Sequence, residues 1–260
     1  MCSSDLLGVD IETGVSLGKD FTLQSLADDG YEAVFMGVGA PDPITLGLLG
    51  EEAENVTDAI PFLKQYNIRG SVPVGKNVIV IGGGNAAIDA ARTALRLGAE
   101  SVKVVYRRSQ GEMPAYEEEI DEAISEGVVL MTLTQPVEVI KNEKGAASGL
   151  RCIPMKLGEY DRTGRRRPTE KEGETFIIDA DQIIIAIGQK LKTEKLLGET
   201  RPALTRQGFI QTNPVTGQTS LPWLFAGGDN ATGPASVVNA IAGGEKAAVG
   251  IHDYLLGEGE

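Results

Sequence analysis

A glycine-rich stretch with the spacing G-x-G-x-x-A carries the clearest chemistry in this sequence. The stretch consists of Gly82, Gly83, Gly84, Asn85, Ala86 and Ala87. A β-rich run, Asn77–Ile81, precedes it, and helical periodicity over Asn85–Leu97 follows it. A turn of this kind lets a pyrophosphate approach the backbone, where free N–H groups and the positive end of the helix stabilise negative charge. The pattern predicts a dinucleotide site, and the alternative is a glycine-rich turn without a ligand.

The next strand indicates which dinucleotide is bound. A site specific for NAD usually has a carboxylate at the end of this strand, which accepts hydrogen bonds from the ribose 2′-hydroxyl, whereas a 2′-phosphate needs cations. Here the strand Ser101–Tyr106 runs into Arg107 and Arg108, with no acid at its end. Guanidinium groups match phosphate oxygens in pairs. We therefore predict NADP(H), although arginines after a strand can also be plain surface residues.

Composition excludes several classes of function. Lys and Arg number 24 against 37 Asp and Glu, and the net charge of −13 repels nucleic acid and anionic membranes. The two cysteines, Cys2 and Cys152, form no C-x-x-C, which excludes dithiol redox chemistry and a cysteine-bound iron–sulfur cluster within this chain. The single histidine, His252, is expected on the surface of a terminal helix. We identify no metal site and no side chain acting as a catalytic acid or base.

The location of the protein can also be predicted from the sequence. No uninterrupted apolar run is long enough to span a bilayer, so membrane insertion is not expected. The first residues, MCSSDLLGVDIETG, lack a basic region followed by an apolar one, as a secretory signal would have. A cytoplasmic protein is therefore expected.

Around the glycine-rich turn, the pattern predicts alternating strands and helices. Strands are expected at residues 9–17 and Tyr31–Gly39, and a helix at Thr57–Tyr66. The Gly- and Pro-containing segment Asn67–Lys76 is interpreted as a domain junction.

The second half of the sequence changes character. The acidic segment after Ala115 predicts a helix with one apolar stripe and a solvated acidic face. Alternation from Pro136 to Ile187 favours an antiparallel meander. In the last predicted helix, Gly243 and Gly244 indicate either close backbone packing or a break.

Six motifs follow one another along the sequence: GGGNAAIDAARTALRLGA, VYRRS, EMPA, IIIAIGQ, FAGGD and GPASVVNAIAGGEKAA. In this order they resemble the motifs of the small (beta) subunit of glutamate synthase and its relatives. Those relatives include flavoprotein subunits of NADPH-dependent ferredoxin-type oxidoreductases and the reductase part of dihydropyrimidine dehydrogenase. The resemblance extends from about Val9 to Leu256.

The resemblance implies an α/β fold with two Rossmann-like dinucleotide-binding domains, the NADP domain being inserted into an FAD domain. The implied boundaries are 71–187 for NADP(H), with 1–70 and 188–260 for FAD. In the FAD domain, Asp229 would accept a hydrogen bond from the ribityl chain, and a helix opening at Ala235 would face the flavin. Further implied cofactor contacts are Gly188, Gly228, Ser236 and Val237. Asp229 as an ordinary turn residue is the alternative.

This chain departs from the family pattern at one point. Such proteins bind the ADP half of FAD with a separate N-terminal glycine-rich unit, often preceded by cysteines for iron–sulfur clusters, and neither occurs in this sequence. We therefore expect an N-terminally truncated representative, with an incomplete FAD domain.

The resemblance implies a module that passes electrons from NADPH through FAD to an iron–sulfur protein or a larger oxidoreductase subunit. A second hypothesis is an NADP(H)-binding remnant that lacks FAD and turnover and serves as an interaction domain. A third, a dehydrogenase with a single Rossmann domain, is disfavoured because no Tyr-x-x-x-Lys pair or catalytic histidine follows the glycine-rich turn.

Overall fold

The structure is a computed structural model that describes residues 8–160, 166–171 and 173–257. The helices are α1 (Leu23–Asp28), α2 (Ala59–Arg69), α3 (Asn85–Arg96), α4 (Glu117–Glu126), α5 (Thr193–Leu196), α6 (Asp229–Thr232) and α7 (Val237–Leu256). The strands are β1 (Val34–Met36), β2 (Asp42–Pro43), β3 (Val56–Asp58), β4 (Asn77–Ile81), β5 (Ser101–Val105), β6 (Val129–Met131), β7 (Thr134–Lys141), β8 (Ala147–Tyr160), β9 (Arg166–Glu170), β10 (Phe176–Asp179), β11 (Gln182–Ile185), β12 (Gln189–Lys190) and β13 (Leu224–Ala226).

The chain forms two compact units. One contains the described residues up to Asp42 and those from Gln189 onward, and the other is Pro43–Gly188. The first junction therefore differs from the predicted one near residue 70. Residues 43–70 belong to the inserted unit because β3 pairs with β11 and helix α2 packs against α3.

A five-stranded parallel sheet forms the centre of the inserted unit, in the order β3-β11-β4-β5-β6. Alternate residues of β4 face opposite layers. Val78 and Val80 pack with the alanines of α3, whereas Ile79 and Ile81 pack with Leu150 and its neighbours in the antiparallel strands. Both faces of the sheet are thus buried, as expected for a parallel sheet.

The predicted antiparallel meander is only partly present. Strands β7, β8, β9 and β10 are antiparallel, with β8 pairing with the other three. The last predicted strand instead divides in two, because Ala180–Asp181 turns the chain and β11 enters the parallel sheet between β3 and β4. Local alternation cannot distinguish these outcomes, since the direction of pairing depends on distant strands.

The other unit has its own core around a parallel pair, β1 and β13. Helix α7 runs without a break from Val237 to Leu256, so Gly243 and Gly244 do not interrupt it. A methyl group on Gly243 would lie 2.8 Å from the backbone nitrogen of Gly228, whereas one on Gly244 would meet nothing within 4 Å. Close packing therefore explains Gly243. Strands β2 and β12 pair with each other.

The strand predicted at residues 9–17 is wrong. The described residues 8–16 form no strand, and Leu17 makes only an isolated bridge with Phe21. Ile11 is 69% exposed, so the apolar residues of this segment have no sheet to pack on.

Candidate functional site

At two of the three glycines in the turn, close contacts within the protein leave no room for a side chain. Gly82 has φ +150°, and a methyl group on it would lie 2.3 Å from the carbonyl oxygen of Ala186. A methyl group on Gly83 would lie 2.6 Å from the ring of Tyr106. These two positions bring the turn close to the ends of the strands on either side of β4.

Gly84 is different, because the protein leaves space beside it. It caps helix α3 with φ −91° and ψ 175°, a conformation open to any residue. A methyl group there would meet only Pro114 Cγ, at 3.9 Å. The glycine cap supplies no side-chain hydrogen bond to the amides of the first helical turn. The amide of Ala87 donates to Gly84 O at 2.9 Å, whereas the amides before it have no acceptor four residues back in the helix. The arrangement leaves room for an anion to approach the start of α3.

The remaining residues of the motif support the turn. Asn85 Oδ1 accepts a hydrogen bond from the backbone of Tyr116 at 3.0 Å, and Gly83 O accepts one from Ala115 at 3.1 Å. Ala87 is completely buried in the helix–sheet core, and Ala86 is half-buried beside it. The segment after β5 therefore folds back onto the turn.

The two predicted arginines follow the neighbouring strand. Strand β5 pairs with β4 in parallel, so Arg107 and Arg108 lie at the same sheet edge as the glycine turn. Arg107 is exposed and Arg108 is half-buried. Arg108 O accepts a hydrogen bond from Leu133 N at 2.9 Å, and Leu133 has the left-handed φ of 51°. This contact fixes the backbone of the arginine pair.

Glu112 completes this loop and was missed by the sequence analysis. One carboxylate oxygen accepts hydrogen bonds from the Ser109 hydroxyl at 2.8 Å and its N–H at 3.3 Å, and the other accepts from Arg166 N at 3.0 Å. Burial by itself would raise the pKa of Glu112, but the bonds from Ser109 and Arg166 and the charge of Arg108 together lower it. The S-x-x-E spacing is a capping-box signal that could have identified it.

Gly188 lies at the same edge of the sheet. It follows β11, the other neighbour of β4, with φ +125°, and its carbonyl accepts a hydrogen bond from Ile44 N at 3.3 Å. Nearby, a cavity of about 420 Å³ opens at the ends of β3 and β11. Its lining residues include the acids Glu51, Glu52 and Asp58. Such a lining suits hydroxyl or amide donors better than phosphate.

The C-terminal motif forms a separate group of predicted residues in the other unit. Gly228, with φ +73°, follows strand β13 and caps the short helix α6, which begins at Asp229. Asp229 Oδ1 accepts a hydrogen bond from Ala235 N at 3.2 Å. Ser236 caps α7, whose first residue is Val237, through its bond from Asn239 N at 3.3 Å. The structure thus brings these predicted residues together at one strand end.

Asn230, next to Asp229, was not singled out from the sequence. It is fully buried, donates from Nδ2 to Met36 O at 2.8 Å, and its backbone carbonyl accepts from Ile210 N at 2.8 Å. Its Oδ1 has no protein partner. The side chain thus joins the carboxyl end of β1 to the segment after β13 that contains the predicted flavin residues.

The described residues contain neither a cluster of metal ligands nor a membrane-spanning helix. Within the described ranges, no three His, Cys, Asp or Glu side chains come together as ligands for a metal ion. Among the residues that the structure describes, no helix has both the length and the apolar composition needed to cross a bilayer.

The parallel sheet, the glycine turn and the arginine pair define an α/β dinucleotide-binding protein. The family profile of the pyridine nucleotide-disulphide oxidoreductases matches residues 6–244. The chain belongs to this family.

Several curated proteins are similar over nearly the whole chain. The beta subunit of the NADP(+)-dependent formate dehydrogenase of Moorella thermoacetica is 43% identical over 253 residues, which cover 96% of this chain and 35% of that protein. The small chain of the NADPH glutamate synthase of Escherichia coli K12 is 37% identical over 263 residues, covering 96% and 56%. The chain thus spans between about a third and somewhat over half the length of these relatives.

Solved structures share the fold. Mycobacterium tuberculosis FprA in complex with NADPH superposes with a TM-score of 0.77 at 19% identity, over 95% of this chain and 69% of that one. Thioredoxin reductase of T. acidophilum gives 0.66 at 20% identity, over 86% and 66%. At this identity the likeness concerns the fold alone.

Proposed function

We propose that this chain is the NADP(H)- and FAD-binding module of a larger oxidoreductase, passing electrons from NADPH through FAD to an iron–sulfur acceptor. The observation that carries the proposal is the open start of helix α3 at Gly84 beside the arginine pair. A pyrophosphate at Gly84 and a 2′-phosphate at Arg107 and Arg108 would each meet positive charge from adjacent strand ends.

Within the inserted unit, the residues predicted to contact NADP(H) have separate proposed roles. The backbone of Gly84, Asn85 and Ala86 would hold the pyrophosphate. Gly188, at the end of β11, would let the nicotinamide half pass close to the backbone, toward the side of the sheet that holds the 420 Å³ cavity. No side chain here has to move a proton, because binding and orientation are the protein's part in this chemistry.

In the other unit, the residues after β13 fit the ribityl and ring end of FAD. A carboxylate has lone pairs for several donors, so Asp229 can bind Ala235 N and also a sugar hydroxyl. Gly228 and the segment Ala235–Val237 would form the rest of that site. Bound FAD would supply the conversion of a two-electron donor to one-electron transfer.

The names of similar proteins support this assignment. They include an NADP(+)-dependent formate dehydrogenase subunit beta, an NADPH glutamate synthase small chain and an NADPH-Fe(3+) oxidoreductase subunit beta. Each is one subunit of an assembly by its name, which supports a partner oxidoreductase subunit for this chain.

Coenzyme choice is the direct test. We expect the double variant Arg107→Ala/Arg108→Ala to weaken NADP⁺ binding by about tenfold to a hundredfold, the value of a charge-assisted contact, and to leave NAD⁺ binding unchanged. Calorimetric titration of both nucleotides measures this.

Arg69→Ala is the matched control, because it removes an exposed arginine at the end of α2. Equal weakening of both coenzymes in the double variant, or the same loss in the control, would contradict the assignment of NADP(H).

A further inference from the structure

Strands β8 and β9 extend beyond the antiparallel layer as a two-stranded arm. We call residues 155–160 and 166–170 the β-arm, paired from Met155 with Glu170 to Tyr160 with Arg166. Because Tyr160 and Arg166 are directly opposite, their side chains share one face. The guanidinium carbon of Arg166 lies 5.3 Å from the centre of the Tyr160 ring. Both side chains are exposed.

A single carboxylate joins the β-arm to the arginine loop. Arg166 N donates to one oxygen of Glu112 at 3.0 Å. The other oxygen accepts from Ser109, both hydroxyl and backbone, at 2.8 and 3.3 Å. Ser109 directly follows Arg108, so the backbone of Arg166 lies within one side chain's width of the loop that carries Arg107 and Arg108.

The electrostatic interactions of Glu112 also connect the β-arm to the arginine loop. Hydrogen bonding to Tyr160, with a smaller contribution from the charge of Glu112, raises the pKa of Arg166. The charge of Arg108 also acts on Glu112. Two guanidinium groups, one from the loop after β5 and one from the β-arm, therefore lie in the field of the same carboxylate.

We propose that Arg166 is a third cation of the 2′-phosphate site, brought to the arginine loop by the β-arm and its bond to Glu112. The inference rests on the proposed function, in which Arg107 and Arg108 bind that phosphate. A phosphate monoester has three terminal oxygens and nearly two negative charges at neutral pH. In a chain of net charge −13, those charges must be met by local cations.

The test uses 2′,5′-ADP, which has the 2′-phosphate, and 5′-ADP, which lacks it. We expect Arg166→Ala to weaken 2′,5′-ADP about three- to tenfold, between the values for an exposed ion pair and a charge-assisted hydrogen bond. Binding of 5′-ADP should stay the same. Arg166→Glu should weaken 2′,5′-ADP more. Both variants keep the bond to Glu112, because its donor is the backbone.

Arg167→Ala is the matched control. It removes the same charge from the next position of β9, but successive side chains of a strand point to opposite faces. Its affinity for 2′,5′-ADP should equal that of the unchanged protein. The role of Arg166 as a third cation is disproved if Arg166→Ala binds 2′,5′-ADP normally. It is also disproved if Arg167→Ala loses as much affinity for 2′,5′-ADP as Arg166→Ala does.

The double variant Arg107→Ala/Arg108→Ala separates this inference from the proposed function. If it weakens both nucleotides equally, the assignment of NADP(H) fails, and the inference fails with it. If it weakens only 2′,5′-ADP while Arg166→Ala has no effect, the coenzyme assignment stands and only the role of Arg166 is lost.

Discussion

Neighbouring glycines in the turn serve different purposes. Gly82 and Gly83 allow the chain to pass close to Ala186 and Tyr106, and a side chain at either would collide with them. Gly84 meets no such obstacle and has an ordinary φ. The missing side chain at Gly84 therefore leaves space for a ligand and not for another part of the protein.

Substitution of these glycines should separate folding from binding. We expect Gly84→Ala to change the free energy of unfolding by no more than about 1 kcal/mol, the usual difference between Gly and Ala at a helix cap. It should weaken NADP⁺ and NAD⁺ alike by at least about tenfold, because a methyl group would occupy the place of the pyrophosphate. Urea denaturation and calorimetric titration provide the two measurements.

Gly82→Ala is the comparison. It should destabilise the fold by about 1–3 kcal/mol because its φ and the nearby Ala186 carbonyl both oppose a side chain. If the Gly84→Ala variant fails to fold, or if it binds both coenzymes normally, the start of α3 is not an open site for the pyrophosphate.

Glu112 should make the stability depend on pH. Its pKa is lowered in the folded state from an ordinary 4.5, so its stabilising effect is complete above that value and is lost as pH falls through the lowered pKa. We expect Glu112→Gln to lower the free energy of unfolding by about 0.5–2 kcal/mol at pH 7, the value of a lost cap. The difference from the unchanged protein should disappear in acid.

Urea denaturation of both proteins from pH 7 downward measures the effect. Glu143→Gln, in the exposed turn between β7 and β8, removes the same charge and controls for net charge. A difference that stays constant with pH would show that the Glu112 carboxylate is not the stabilising group.

At the scale of elements, helix α7 contains a matched pair of glycines. Gly243 faces Gly227 and Gly228 at the end of β13, and Gly244 has no neighbour within 4 Å of an added methyl group. Alanine is favoured over glycine in a helix interior by about 1 kcal/mol. We therefore expect Gly244→Ala to stabilise the protein by up to about that amount.

Gly243→Ala should instead destabilise it, since the 2.8 Å approach to Gly228 N forces the helix away from the strand. The expected cost is about 1–3 kcal/mol, as for overpacking of a tight contact. Thermal unfolding of both variants measures the contrast. If both shifted Tm in the same direction, backbone propensity alone would explain Gly243.

For the molecule as a whole, the two units have separate cores. Leu23, Ile210 and Leu224 belong to one, and Ile79 and Ile88 belong to the two core clusters of the inserted unit. Separate cores allow separate unfolding transitions, and a ligand stabilises only the unit that binds it.

We therefore expect calorimetry to show two transitions, one raised by NADP⁺ and the other by FAD. At a hundred times its Kd, each ligand should add about 2.7 kcal/mol to the stability of its own unit. Asp229→Ala should reduce the effect of FAD and leave that of NADP⁺ unchanged. A single transition that both ligands raise equally would contradict the assignment of NADP⁺ to one unit and FAD to the other.

The local pattern was sufficient to predict the glycine turn, the strand before it and the arginines after β5. These features are contiguous in sequence, and the chemistry of glycine and arginine is carried by the residues themselves. Family resemblance added the grouping of Asp229 and Ala235, which the structure joins by a hydrogen bond. Their role in binding FAD stays a prediction.

Tertiary structure decided what depends on distant pairing. Strand β11 lies outside the expected meander because it pairs in parallel with β3 and β4. Residues 43–70 belong to the inserted unit because β3 is part of the same sheet. The contact of Glu112 with Arg166 spans 54 residues, and no local rule places those groups together. Sequence determines which groups are available, whereas packing and backbone pairing determine which of them meet.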